Sequence, residues 1–172
     1  MDIHFKARVG AATAILGALL FIFSINANAA TQHGRVQSAG KPIINATVKL
    51  FEAGTSYNDS SRLLGAAKTN TSGTFSISYA TPRNNDATLY VISEGGTHRK
   101  HPHQRLNGLK MAVVLGAKHI PKKITINERT TVATAYTMAQ FLSNDVIAGP
   151  SPGVPNAAAI FKNLVALKTG RV

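Results

Sequence analysis

The segment Thr74-Phe75-Ser76-Ile77-Ser78-Tyr79 alternates strictly between apolar or aromatic residues and small hydroxyl residues. Only an extended strand with one face buried places Phe75, Ile77 and Tyr79 together and turns three hydroxyls to water, because successive side chains point to opposite faces. Ala46-Thr47-Val48-Lys49-Leu50-Phe51 repeats the pattern, with Ala46, Val48 and Leu50 on one side. Ala87 to Ser93 is more continuously apolar and suits a central strand. Turn-forming clusters separate these runs at Gly40-Lys41-Pro42, Gly54, Tyr57 to Ser61, Asn70 to Gly73 and Pro82 to Asp86. Short strands at this spacing predict a mainly β chain built as a sandwich. Leu109 to Ala117 and Lys123 to Asn127 are two further strand candidates, divided by Gly116 and Pro121.

The wording of the first strands is also familiar. Gly34-Arg35-Val36, then Gly40-Lys41-Pro42-Ile43, then Asn45-Ala46-Thr47-Val48-Lys49-Leu50 resembles the opening of carboxypeptidase regulatory-like domains. Thr69-Asn70-Thr71-Ser72-Gly73-Thr74-Phe75 is similar to the hairpin of that family, with Asn70 where Asp is usual. The resemblance covers residues 33–94 and implies a Greek-key, prealbumin-like sandwich of accessory or structural role. It carries over no functional residue.

Ahead of this module stands a three-part leader. Lys6 and Arg8 make the start basic, Val9 to Ile25 carries no charge, and Ala27 and Ala29 occupy the two positions that a signal peptidase reads. Residues 1–29 are therefore expected to be a cleaved signal peptide, and the protein to be secreted, periplasmic or held at the cell surface without a transmembrane helix. A cut after Ala30 instead would make His33 the third residue, the position that completes a copper or nickel chelate. The chain contains no cysteine, so stability in an oxidising compartment rests on packing alone.

The hydrophobic period changes after residue 128. Val132, Ala135, Tyr136, Ala139 and Leu142 recur at helical spacing over 130–142, with Thr130 or Thr131 placed to cap. Gly149 to Pro155 reads as a stiff linker, after which Asn156 is placed to cap a second helix with Ala157, Ile160, Phe161, Leu164 and Val165 on its apolar face. The expected organisation is thus a β-sandwich over 30–127 followed by a helical appendage over 128–172. The stretch from Ile124 through Ala133 is similar to a segment of large exported bacterial proteins of unknown function. That likeness implies either a truncated chain or a short relative.

The net charge is +12, and the leader contributes one unit of it. No acidic residue lies between Glu94 and Glu128, whereas Arg99, Lys100, Arg105, Lys118, Lys122 and Lys123 all do, and these six are the candidate anion-binding residues. The expected partner is a protein or an anionic glycan or cell-envelope polymer, and nucleic acid is disfavoured for an exported chain. Residues 95–108 read as a basic loop outside the core. Within it His98, His101 and His103 offer three imidazoles for a transition metal, which makes a metal-binding or metal-sensing protein the alternative function. Neighbouring Arg99, Lys100 and Arg105 oppose a cation. No nucleophile elbow and no His-Glu-x-x-His motif is present. The expectation is a non-enzymatic binding or structural module without a cofactor.

Overall fold

The computed structural model describes residues 30–172; the leader expected at residues 1–29 lies outside them. The chain is mainly β, with two sheets enclosing one core and two helices near the C-terminus. No helix among the described residues is long and apolar enough to cross a membrane.

The first sheet is organised around β1 (Ala30–Ser38). On one side β1 pairs antiparallel with β5 (Thr74–Tyr79) and, at its C-terminal end, with β2 (Lys41–Ile44). On the other side it pairs parallel with β10 (Lys123–Ile126). The second sheet has the order β4 (Arg62–Lys68), β3 (Thr47–Glu52), β6 (Leu89–Glu94), β9 (Lys110–Gly116), all antiparallel. Alternation decides what fills the space between the sheets. Val36, Phe75, Ile77, Ile124 and Ile126 from the first sheet join Val48, Leu50, Val91 and Val113 from the second in one buried cluster. Burial of each such side chain is worth about 1.5–3 kcal/mol against the entropy of ordering the chain.

The expected loop at 95–108 is instead a hairpin of β7 (Thr97–His98) and β8 (His101–Arg105). It extends the first sheet beyond β2, through pairs Ile43 with His98 and Ile44 with Thr97. Charge density concealed it, because strand pairing here satisfies backbone groups while leaving most side chains in water.

The C-terminal elements pack on the sandwich. The first helix, α1 (Glu128–Thr137), is capped by Asn127 rather than by Thr130 or Thr131; Thr130 N–H donates to the Asn127 side chain and Thr130 Oγ1 accepts from Asn127 N–H. Its orientation reverses the sequence expectation. Thr130, Ala133 and Thr134 are buried, whereas Val132 and Tyr136 face outward. The reason is that α1 covers the open edge of β9, where the Ala112 N–H needs an acceptor and finds Thr131 Oγ1 at 3.1 Å. A short hairpin of β11 (Leu142–Ser143) and β12 (Val146–Ile147) follows. The second helix, α2 (Gly153–Leu164), starts inside the expected linker, so Asn156 lies within the helix and does not cap it. Ala157, Phe161 and Val165 are buried as expected, while Ile160 and Leu164 are exposed. Beyond α2 the chain runs alongside β10, where Thr125 N–H donates to the Leu167 carbonyl and Thr125 Oγ1 to that of Lys168.

Candidate functional site: a basic face on the first sheet

The six cations expected to act together are divided by the topology. Arg99 and Lys100 occupy the β7–β8 turn and Arg105 ends β8, at one extremity of the first sheet. Lys122 and Lys123 lie at the other, with Lys123 opening β10. Lys118, between β9 and β10, pairs with Asp86 at 2.9 Å on an exposed surface, where such a contact is worth little. Proximity in sequence does not become proximity in space here.

The three imidazoles do not converge either. Register sets His98 opposite His101, but His98 is half-buried beside Ile43, with its Nδ1 enclosed and without a hydrogen-bond partner, while His101 and His103 are exposed. Among the described residues no three His, Asp or Glu side chains gather in a group able to hold a metal ion. His33 is likewise built into the ladder, its N–H donating to the Lys122 carbonyl at 3.3 Å, which a terminal copper chelate would need free.

What the fold does assemble is a different basic surface. On β1 the alternation turns Gln32 and Val36 inward and exposes His33 and Arg35. Gln32 stays buried because its side-chain amide donates to the carbonyls of His33 and Pro121. Parallel and antiparallel register then align His33 with Lys123 on one side and Ser76 on the other. Lys68 from the end of β4 and Lys168 from the C-terminal turn complete a cleft of about 650 Å³, which Thr74 and Ser76 also line. No Asp or Glu among the described residues lines it.

A second cleft of about 750 Å³ adjoins the first through Arg35 and Gln37, and adds Arg129 and Arg171. Its one carboxylate is Glu128. Burial pushes that group up, but its own backbone N–H, Ser38, the Ala39 N–H and the charge of Arg129 outweigh burial and hold it below its ordinary value of 4.5. The carboxylate is thereby engaged by the β1–β2 turn. Among the described residues Arg35, Lys68, Lys123, Lys168 and Arg171 have no ion-pair partner. Unpaired cations around a concave surface focus a positive potential in it, which attracts anions over distances up to about a Debye length of 8–10 Å.

Of the six cations expected from sequence, only Lys123 belongs to this surface; His33, considered there only for a metal chelate, also lines it. The outward phase of β1 was a usable signal for His33 and Arg35. Lys68, Arg129, Lys168 and Arg171 had none, because they reach the site through tertiary packing.

No family model matches this chain, and no curated protein does. Among solved structures the chain is similar to a 9R-lipoxygenase from Cyanothece PCC8801, at 16% identity and a TM-score of 0.35. That likeness covers 69% of this chain and 18% of the lipoxygenase, and one so loose carries no argument.

Proposed function

We propose that the protein is an exported, non-enzymatic β-sandwich module that binds an anionic component of the cell envelope through the outer face of β1, β5 and β10. The observation that carries this reading is the convergence of Arg35, Lys68, Lys123 and Lys168 on one cleft without a carboxylate among its described lining residues. Export is supported by the basic start, the uncharged run from Val9 to Ile25 and the Ala27-x-Ala29 pattern. The resemblance of residues 33–94 to carboxypeptidase regulatory-like domains supports an accessory rather than a catalytic part. The hydroxyls of Thr74 and Ser76, which line the cleft, suit the oxygen-rich surface of a phosphate, sulfate or carboxylate ligand.

Chromatography on heparin, a polyanion probe, tests this. The triple variant Arg35→Glu, Lys123→Glu, Lys168→Glu alters exposed side chains only, and is expected to elute at much lower salt than the parent. The triple variant Arg99→Glu, Lys100→Glu, Arg105→Glu, on the opposite edge of the sheet, is expected to lose much less. Retention that ignores the first set, or is abolished by the second alone, refutes the proposed site.

A further inference from the structure

Resting on that anion-binding reading, we propose that the partner is the surface of an anionic lipid bilayer, engaged jointly by the basic clefts and by an apolar groove between α1 and α2. The groove, of about 560 Å³, is lined by Val132, Ala133, Tyr136, Leu164, Val165 and Val172. Four of these are open to solvent: Val132 is 68% exposed, Tyr136 75%, Leu164 38% and Val172 86%. Isolated exposed apolar residues are ordinary, but four around one depression form a patch of the kind that marks an interaction surface.

The helix orientation makes the patch more telling. A surface helix normally buries its apolar stripe, whereas α1 buries Thr130, Ala133 and Thr134 and presents Val132 and Tyr136 outward, one turn apart. Ile160 and Leu164 stand in the same relation on α2, and both are exposed.

Charge identifies the occupant. Glu128 and Arg129 line both the groove and the second basic cleft, and Arg171 immediately precedes Val172. The apolar patch is therefore continuous with a cationic surface, on a chain of net charge +12. That excess disfavours a second copy of the same chain in the groove. It suits a surface that offers anionic headgroups beside acyl chains, where interfacial binding scales with buried apolar area plus attraction to anionic lipid. Tyrosine is among the residues enriched at that boundary, with its ring among acyl chains and its hydroxyl among headgroups.

The test is co-sedimentation of the protein recovered after export with vesicles of phosphatidylcholine containing phosphatidylglycerol, against phosphatidylcholine alone. Binding is expected only to the anionic vesicles, and to weaken with salt. The variant Val132→Ser, Tyr136→Ser, Leu164→Ser is expected to bind them about a hundredfold less tightly, with its circular dichroism and its heparin retention unchanged. A Tyr136→Trp reporter is expected to shift its fluorescence to the blue on anionic vesicles. Heparin retention without any vesicle binding overturns the lipid assignment and leaves the anion-binding face standing. Equal vesicle binding by the serine variant and its parent overturns the role of the groove. A dimer in sedimentation velocity that the serine substitutions dissolve assigns the groove to self-association instead, and also overturns the proposal.

Discussion

Glu128 Oε1 accepts a hydrogen bond from the Ala39 N–H at 2.7 Å, joining the first turn of α1 to the β1–β2 turn. Ala39 has a positive φ of 48°, so this turn is held in a backbone conformation that a side-chain-bearing residue seldom adopts. The carboxylate that holds it has a folded pKa below 4.5. A depressed carboxyl contributes stability that is full above its unfolded pKa and is lost as pH falls through the folded one. Glu128→Gln is therefore expected to lower the melting temperature at about pH 7, with the gap to the parent narrowing towards about pH 3. Melting curves across that range check it; a gap independent of pH would show that the charge plays no part.

Glu52 is a buried carboxylate with one cationic partner among the described residues. Arg62 Nε donates to it at 2.8 Å and the Arg83 N–H at 2.9 Å, while Arg62 also donates to the Thr81 carbonyl. Arg62→Ala leaves the charge enclosed without its counter-ion and is expected to cost about 3 kcal/mol in urea unfolding. Glu52→Gln retains an acceptor for the Arg83 N–H and is expected to cost less. A loss under about 0.5 kcal/mol for Arg62→Ala would contradict this account.

Phe161 is fully buried although it belongs to α2, and it shares the cluster that holds Val48, Val91 and Val113. Phe161→Ala is expected to cost about 3–5 kcal/mol. Helix and sheet should then unfold in one transition, followed at a helical wavelength and by tyrosine signals. Two separate transitions would show a helical unit that is stable by itself.

Gly34 faces the core between two strands, where an added Cβ would lie 2.5 Å from the Phe75 ring and 2.8 Å from the Ile124 carbonyl oxygen. The ring can turn, but the carbonyl belongs to the parallel ladder and cannot. Gly34→Ala is expected to cost about 1–3 kcal/mol in denaturant unfolding. An unchanged midpoint would mean that β10 slides to make room.

The strands β3, β5 and β6 were legible because their alternation, or their unbroken apolar run, is decided locally by a single buried layer. Arg62-Leu63-Leu64-Gly65-Ala66-Ala67-Lys68 has neither signal, yet it forms β4, since β3 supplies its pairing and β5 packs close to Gly65. On α1 the helical period holds for Val132, Ala135 and Tyr136, but the helix ends at Thr137, so Ala139 and Leu142, the latter in β11, lie outside it, and the direction of the stripe is reversed. The inward side carries Thr131, whose Oγ1 accepts from the Ala112 N–H on the edge of β9, a requirement that lies outside the helix. The candidate site was largely illegible for a related reason. Its cations come from positions 35, 68, 123, 129, 168 and 171, and nothing local marks them as neighbours.

The pairing of β1 with β10 joins the first and last strands of the sandwich side by side. During synthesis β1 emerges with both edges open; β5 closes one after about forty residues, and the other stays open until almost ninety have followed. For that interval the nascent chain offers unpaired N–H and C=O groups to any neighbour, a hazard for a slow-folding β protein. A chaperone that shields this edge would meet its need before residue 126 appears.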